Sequence, residues 1–216
     1  AAWHVIWHHR NMRFYLDRQK QRRWEHQNFD AIVPPADYTV GILGYGLMGK
    51  AIAAAVAAMG FPVVAAVRRP PEEAAPDGIS FQTGPDAIAR TAAKANALIN
   101  ILPLTDATRG VLNADLFQVM PKGARLIQLG RGQHLVEKDL VPALDCGQLG
   151  GASLDVFHIE PLPDDHPWWT DERIVVTPHQ ASDSAKTLMA EQVARSAVDA
   201  AEGRQPSFTV DRSQGY

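Results

Sequence analysis

The segment TVGILGYGLMG, residues 39–49, decides the fold of this chain of 216 residues. A β-branched run leads into the spacing G-x-G-x-x-G and then an alanine-rich segment, so the sequence predicts a strand, a glycine turn and a helix. Gly44 permits the tight turn, Gly46 lets the backbone approach a pyrophosphate, and Gly49 allows the helix to pack close to the strand. We predict a dinucleotide site at this helix N-terminus; a glycine-rich turn without a ligand is the alternative. The predicted cofactor-binding residues of the turn are Gly44, Gly46, Leu47, Met48 and Gly49.

Apolar runs of strand length alternate with helical segments along the rest of the chain. Units of this size are typical of a parallel, doubly wound sheet with right-handed crossovers, which is an α/β, Rossmann-like fold. We expect strands at residues 39–43, 61–67, 79–81, 97–102, 124–129, 152–157 and 174–177, and helices at 86–95, 113–120, 137–144 and 182–203. The predicted divisions are an N-terminal helix and linker at 1–37, an NAD(P)-binding Rossmann domain at 38–180, and a C-terminal helix and tail at 181–216.

Residues 1–24 contain apolar side chains at helical spacing and neither glycine nor proline, so we predict one long amphipathic helix. Its second half is basic. A partner or nucleic-acid surface is one interpretation; we prefer a solvated face or a helix packed on another subunit. His4 and His8, four residues apart, could face a metal ion, but the sequence offers no third ligand nearby. We therefore favour a packed helix face and predict no metal.

Composition restricts the partners of the chain. It is 46% hydrophobic and 21% charged, as in an ordinary globular protein, and its net charge of −3 with a pI near 6.2 provides no general basic field for nucleic acid or a membrane surface. The single cysteine, Cys146, excludes an internal disulfide and is typical of a reducing compartment. We therefore expect a cytoplasmic protein without nucleic-acid or membrane partners.

Two arginines follow the second predicted strand, about twenty residues past the glycine turn, where an acidic residue would hold the ribose hydroxyls of NAD. Arg68 and Arg69 stand there instead and are suited to pair with a 2′-phosphate. We therefore predict NADPH as the cofactor, with NADP preferred over NAD. The alternative is that both arginines are solvated charges at a strand end.

Three chemically versatile side chains, Arg131, Glu160 and His179, each follow a different predicted strand. Carboxyl ends of parallel strands share one edge of the sheet, so all three can converge beside the cofactor. Histidine suits proton donation near neutral pH, a carboxylate would orient its ring and favour its protonated form, and arginine grips a substrate carboxylate at two points. We predict hydride transfer to a carbonyl carbon with His179 as the proton donor. The ordinary alternatives are a surface arginine, a Glu-Pro turn and a loop histidine.

Four ordered motifs resemble the D-isomer-specific 2-hydroxyacid dehydrogenase family: GILGYGLMG, LGRG, LDVFHIEPLP and VTPHQA. The start WHVIWHHRNMRFY and the ending VDRSQGY are similar to its glyoxylate/hydroxypyruvate reductase A branch. The resemblance covers essentially the whole sequence. It implies an Arg-Glu-His site at Arg131, Glu160 and His179, reduction of small 2-oxo acids such as glyoxylate or hydroxypyruvate, and a preference for NADPH.

The same resemblance implies further cofactor contacts and an entrance residue. Asp155 would contact the nicotinamide carboxamide, although a carboxylate capping local N–H groups is the alternative. Trp168 or Trp169 would lie near the substrate entrance, although plain packing is as ordinary an explanation. The remaining implied cofactor-lining residues are Leu102, Pro103 and Thr105 in the turn after the fourth strand, and Gly130, Arg131 and His179.

The sequence departs from the family pattern at its start. Family members carry there most of a second, flavodoxin-like substrate domain, which the resemblance implies is mostly missing from this sequence. Their first helix joins two subunits, so we expect a homodimer through the N-terminal helix. Two rival functions are an NAD(P)-sensing binding protein of the corepressor kind and an inactive cofactor-binding fragment.

Overall fold

The computed structural model describes residues 1–28, 33–69, 74–181, 186–206 and 209. Within that part of the chain the strands are β1 (Val40–Leu43), β2 (Val63–Ala66), β3 (Ile79–Gln82), β4 (Ala97–Asn100), β5 (Ala124–Gln128), β6 (Leu149–Leu154) and β7 (Ile174–Val176). The helices are α1 (Ala2–His9), α2 (Met12–Lys20), α3 (Leu47–Ala58), α4 (Ala87–Ala92), α5 (Ala114–Val119), α6 (Glu137–Asp145) and α7 (Lys186–Ala201).

The strands form one parallel sheet in the order β3-β2-β1-β4-β5-β6-β7. This confirms the predicted Rossmann-like, doubly wound architecture. The order reverses between β1 and β4, whose last residues, Leu43 and Asn100, are partners in the register. Ligands of such sheets lie beyond the carboxyl ends of the strands at the reversal, so this edge is where the site must be sought.

Apolar residues along the strands divide between two cores, one on each face of the sheet. Successive strand residues point to opposite faces. Leu98 and Leu126 accordingly belong to one core, and Ile99 and Ile127 to the other. Helices cover both faces, so the strands are continuous apolar runs and not alternating ones. Complete burial of each such side chain contributes about 1.5–3 kcal/mol, which anchors the strand ends that carry the site.

Strand β6 begins at Leu149, three residues before its predicted start at Ala152. The sequence pattern did not predict this earlier start, because Gly150 and Gly151 are poor strand formers. Their lack of a side chain is required here: a Cβ on Gly150 would stand 2.6 Å from Nη1 of Arg125, which lies across that face of β5. The glycines therefore make room for an arginine within the sheet.

The prediction of one long N-terminal helix is wrong. The segment forms two helices, α1 and α2, separated at Asn11, whose φ of 47° is left-handed. Asparagine adopts that conformation more readily than most residues, so the chain can turn there without glycine. The turn leaves α1 free to pack on the sheet, where Nε2 of His8 lies 2.9 Å from Oγ of Ser153 on β6. His4 and His8 are buried, which agrees with the packed-face interpretation.

Two compact units divide the chain, residues 1–178 and 179–216. The first contains α1 to α6 and the whole sheet, and the second contains α7. Several predicted features lie outside the described residues: the start of the linker at Asp30, the pair Pro70–Pro71, the start of the closing helix at Ser182, and the tail 210–216.

No helix among the described residues is long and apolar enough to span a bilayer. Within the same residues, His, Cys, Asp and Glu side chains nowhere gather in a group of three suited to hold a metal ion.

Candidate active site

The glycine turn between β1 and α3 contains two close approaches and one open position. Gly44 has a φ of 102°, and a Cβ on it would stand 2.9 Å from the carbonyl oxygen of Ile101. A Cβ on Gly49 would stand 2.1 Å from the carbonyl oxygen of Gly44. Gly46 is different, because a Cβ there would meet nothing within 4 Å. The outer two glycines are therefore required by the fold, whereas Gly46 leaves open space in front of the backbone.

That open space lies at the N-terminus of α3. Gly46 caps the helix without a side-chain hydrogen bond, and the first turn carries no acidic residue. The N–H of Lys50 donates to the carbonyl of Gly46 at 2.9 Å, so the N–H groups that precede Lys50 belong to the unpaired first turn of the helix. Unpaired N–H groups, the positive end of the helix dipole and the absence of carboxylates fit a pyrophosphate.

Arg68 and Arg69 follow the neighbouring strand β2 and are exposed. The last residue of β2, Ala66, is the register partner of Leu43 in β1, so both strands end at the same edge. The arginines thus leave the sheet beside the strand that leads into the glycine turn. Their charge at this edge fits a phosphate on the adenosine ribose.

The turn after β4 is held by two threonines. Oγ1 of Thr108 donates to the carbonyl of Pro103 at 2.7 Å and accepts the N–H of Thr105 at 2.9 Å. At the other end of the turn, the N–H of Leu102 donates to Oδ1 of Asn100 at 3.3 Å. Gly44 lies against this turn, since a Cβ on it would be 3.2 Å from the nitrogen of Leu102. Leu102, the first of the predicted cofactor residues in this turn, therefore borders the glycine turn, and Pro103 and Thr105 follow it in the segment that Thr108 holds.

Arg131 follows β5 in a turn whose backbone is held by two side chains, those of Gln128 and His134. Its carbonyl accepts a hydrogen bond from Nε2 of Gln128 at 2.8 Å, and its N–H donates to Nδ1 of His134 at 3.0 Å. The Arg131 side chain is exposed, and its Nη1 donates to the carbonyl of Gly130 at 2.8 Å. Gly130 is required there, because a Cβ on it would stand 2.8 Å from Nδ1 of His134.

Three fully buried polar residues, Asn100, Gln128 and His134, support this turn and were not assigned a role from the sequence. Nδ2 of Asn100 lies 2.8 Å from Oε1 of Gln128 and 3.0 Å from Nδ1 of His134. One signal was available in the sequence: a polar residue ends each of the two strands, β4 and β5, directly after apolar neighbours. Their mutual contact depends on the β4–β5 register, which pairs Asn100 with Gln128.

The turn after β6 carries Asp155 and Glu160. Asp155 is only 1% exposed and accepts a hydrogen bond from Oγ1 of Thr177 at 2.6 Å. Oε1 of Glu160 accepts the N–H of Phe157 at 2.9 Å, although the side chain is otherwise at the surface. A Cβ on Gly132 would stand 2.0 Å from the carbonyl carbon of Phe157, so the Arg131 and Glu160 turns are in direct backbone contact.

His179 is the first residue of the second unit, three residues past the end of β7, and it is exposed. Its φ of 52° is left-handed, which is uncommon for a residue other than glycine. Such conformations cluster at functional positions. Arg131 and Glu160 are thus brought together within the first unit, whereas the predicted convergence of His179 with them stays a prediction.

The two neighbouring tryptophans have different surroundings. Trp168 is buried, with its ring 6.2 Å from that of Phe157 and 4.6 Å from that of His166. Trp169 is half exposed, and its Nε1 donates to the carbonyl of Pro163 at 2.8 Å. Packing therefore explains Trp168. Trp169 is the one of the pair whose exposure fits an entrance residue.

The parallel sheet, the glycine turn and the charged turns beside it define a dinucleotide-binding domain of the Rossmann class. Residues 2–181 match the family model described as "D-isomer specific 2-hydroxyacid dehydrogenase, NAD binding domain", and the chain belongs to this family. The resemblance seen in the motifs is thereby confirmed.

Curated relatives extend the comparison to the whole sequence. The chain is 38% identical over 220 residues to glyoxylate/hydroxypyruvate reductase A of Serratia proteamaculans, covering all of this chain and 67% of the relative. It is 36% identical over 216 residues to the protein of that name from Yersinia enterocolitica, covering 98% of this chain and 66% of the relative. The chain thus spans about two thirds of the length of these relatives.

Solved structures give the same family and include bound cofactors. An NADPH-dependent glyoxylate/hydroxypyruvate reductase from Sinorhizobium meliloti, in complex with NADP and sulfate, matches with a TM-score of 0.91 at 32% identity, over 99% of this chain and 67% of that one. A D-isomer specific 2-hydroxyacid dehydrogenase from Xanthobacter autotrophicus, in complex with NADPH and MES, matches with a TM-score of 0.89 at 33% identity, over 98% and 85%.

Proposed function

We propose that this chain supplies the cofactor-binding half, and the named catalytic side chains, of an NADPH-dependent reductase of small 2-oxo acids such as glyoxylate and hydroxypyruvate. The observation that carries the proposal is the meeting of turns at one sheet edge. Gly132, next to Arg131, lies against Phe157, whose N–H binds Glu160. Relatives named as glyoxylate/hydroxypyruvate reductases support the choice of substrate class.

The cofactor would be held by the N–H groups at the start of α3, with the turn at Leu102 and Pro103 beside it and Asp155 toward the nicotinamide. When bound, NADPH supplies a hydride, that is two electrons, to the keto carbon and leaves as NADP⁺. The remaining requirements fall on the protein: to grip the substrate carboxylate, to polarise the keto oxygen and to deliver one proton to it.

Arg131 meets the first two requirements. Its planar guanidinium can hold a carboxylate through two parallel hydrogen bonds while one N–H faces the adjacent keto oxygen. The backbone of Arg131 is held on both sides by Gln128 and His134, so the side chain starts from a fixed point. A fixed starting point reduces the entropy that must be lost to bring the guanidinium into the reactive geometry, and so lowers the barrier.

His179 delivers the proton in this mechanism. In the proposed step the protonated ring would donate to the keto oxygen as the carbon receives the hydride, and the role we assign to Glu160 is to accept a hydrogen bond from the other ring nitrogen and so orient the ring. The sum is a 2-oxo acid, NADPH and one proton converted to a 2-hydroxy acid and NADP⁺. Arg68 and Arg69 give the preference for NADPH through the 2′-phosphate.

The surroundings of the site fit a dimeric cytoplasmic protein. Apolar side chains on α1 and α2 are partly exposed, notably Trp3 at 53%. We assign this face to a second copy of the chain, in accord with the family resemblance. Cys146 is a free, exposed thiol, which suits a reducing compartment.

The test is NADPH oxidation with glyoxylate by the natural protein that carries this sequence. His179→Gln should lower kcat on the order of 10²–10⁴-fold while leaving the Kd of NADPH within a few-fold, because only proton transfer is lost. Glu160→Gln should lower kcat less and shift the pH profile. An unmodified protein that binds NADPH yet reduces no small 2-oxo acid would favour the cofactor-sensing rival.

A further inference from the structure

His134 lies at the centre of a buried network whose hydrogen-bond directions are set by the backbone. Gln128 accepts the N–H of Gly130 at Oε1, 3.2 Å away, and donates from Nε2 to the carbonyl of Arg131. Asn100 accepts the N–H of Leu102 at Oδ1. Backbone N–H groups only donate and carbonyls only accept, so both amides have one allowed orientation.

The orientation of the amides then determines the state of the His134 ring. Nδ1 receives the N–H of Arg131 at 3.0 Å and an N–H of Asn100 at 3.0 Å. A ring nitrogen that accepts two donors carries no proton. The proton is therefore on Nε2, which lies 3.3 Å from the carbonyl of Pro103. His134 is a neutral imidazole in its Nε2–H form.

Burial favours the same state. His134 is fully buried, and desolvation lowers its pKa, with the nearby positive charges of Arg131 and Arg109 acting in the same direction. A proton on Nδ1 would remove the acceptor for the Arg131 N–H and leave that donor unpaired. An unpaired buried donor costs about 1–3 kcal/mol, so the network strongly prefers a single arrangement.

The ring thereby joins two turns that do different work. Nδ1 holds Arg131, the group assigned to the substrate, and Nε2 holds Pro103, in the turn assigned to the cofactor. We propose that His134 is a positioning residue that couples the cofactor-lining turn after β4 to the substrate-gripping Arg131 after β5. The assignment of the two turns to substrate and cofactor rests on the proposed function. The link that His134 makes between the turns rests on the ring geometry alone.

Two substitutions separate the two ends of the ring. His134→Asn retains an acceptor near the position of Nδ1 but is too short to reach Pro103, whereas His134→Gln reaches toward Pro103 and loses the Nδ1 acceptor. His134→Gln should raise the KM for glyoxylate and lower kcat/KM on the order of tenfold to a hundredfold, with the Kd of NADPH little changed. His134→Asn should weaken NADPH binding and leave the KM for glyoxylate within a few-fold.

A stability control distinguishes positioning from general loosening of the fold. Leu144→Ala removes a buried side chain from α6, just ahead of β6 and so at the opposite edge of the sheet. Its urea midpoint should fall at least as far as those of the His134 variants, while KM and the Kd of NADPH stay close to their original values. A Leu144→Ala protein with the same kinetic losses would overturn the positioning role.

The ring state has its own readout, which needs no activity. Nitrogen-15 spectra of the natural protein should show a protonated Nε2 and an unprotonated Nδ1 in His134, with the assignment made by its loss in His134→Asn. A protonated Nδ1, or identical kinetics in His134→Asn and His134→Gln, would overturn the inference. Natural protein that reduces no 2-oxo acid refutes the proposed function instead, and the ring-nitrogen shifts still decide whether His134 holds Arg131.

Discussion

Gly132 lies so close to Phe157 that a Cβ on residue 132 would stand 2.0 Å from the carbonyl oxygen of Phe157 and 2.5 Å from the nitrogen of His158. All of these are backbone atoms and cannot swing aside. A second contact joins the same two turns, since Nε2 of His158 lies 2.9 Å from the carbonyl oxygen of Leu135. The turns that carry Arg131 and Glu160 are thus locked to each other through their main chains.

Gly132→Ala should therefore separate the two turns. We expect the free energy of unfolding to fall by at least about 1–3 kcal/mol, as for an overpacked core, and kcat/KM for glyoxylate to fall because Arg131 moves. Urea unfolding and steady-state kinetics measure the two effects. An alanine variant with wild-type stability would mean that the backbones of the two turns leave room for a methyl group on residue 132, in contradiction to the 2.0 Å between its Cβ position and the carbonyl oxygen of Phe157.

Gly46→Ala adds the same methyl group at a glycine where the protein has room for it. Its φ of −76° is acceptable for alanine, and the added Cβ meets nothing within 4 Å of the protein. Stability should stay the same or rise by about 0.4–1 kcal/mol, because alanine restricts the unfolded chain. NADPH binding should weaken, because the methyl group occupies the space in front of the helix N-terminus. Titration of NADPH fluorescence checks this, and unchanged affinity would place the pyrophosphate elsewhere.

Arg68 and Arg69 should distinguish NADPH from NADH. Replacing each with alanine should raise the Kd of NADPH on the order of tenfold to a hundredfold, the equivalent of one charge-assisted hydrogen bond, and leave the Kd of NADH little changed. Lys122→Ala, which removes an exposed charge just ahead of β5 and so from the opposite edge, is the control. Equal losses for both cofactors would contradict a 2′-phosphate role.

Local patterns in the sequence were sufficient for the fold and for the turns of the site. Strand, glycine turn and helix follow from residues near each other. At the start of the helix predicted at 113–120, Asn113 caps α5 by accepting the N–H of Leu116 at 3.0 Å. The break at Asn11 escaped prediction because asparagine, which adopts the left-handed conformation more readily than most residues, is a weaker breaking signal in a sequence than glycine or proline.

The polar network also escaped prediction, for a reason of distance along the chain. Asn100 is 28 residues from Gln128 and 34 from His134, and only the register of β4 on β5 brings them together. The sequence alone therefore assigned His134 no role. Arg131 and Glu160 could be placed at strand ends because that requires only the strand pattern.

Acid should destabilise the first unit through two buried histidines on α1. Desolvation lowers the pKa of His4 to about 4 and that of His8 to about 3, with the charge of Arg125 also acting on His8. In the unfolded chain both titrate near pH 6.5. Between about pH 6.5 and pH 4 the unfolded state therefore binds more protons than the folded one, and stability falls as the pH falls.

The size of this effect follows from the proton count. Each histidine can lower the free energy of unfolding by up to about 1.4 kcal/mol for each pH unit below 6.5. Well above pH 6.5 neither histidine makes the free energy of unfolding depend on pH. His4 has a further reason to resist charging, because its buried Nδ1 has no hydrogen-bond partner. His8→Gln retains a polar group toward Ser153 and removes one titrating site, so the slope of unfolding free energy against pH should decrease by up to one proton.

Urea unfolding at a series of pH values, from about 7 to about 4.5, measures that slope. His26→Gln is the matched control, because it removes an exposed histidine by the same substitution. If His8→Gln and His26→Gln gave equal slopes, the ring of His8 would have to titrate normally in the folded protein. That result would be incompatible with its burial against Ser153 and would place α1 away from the sheet.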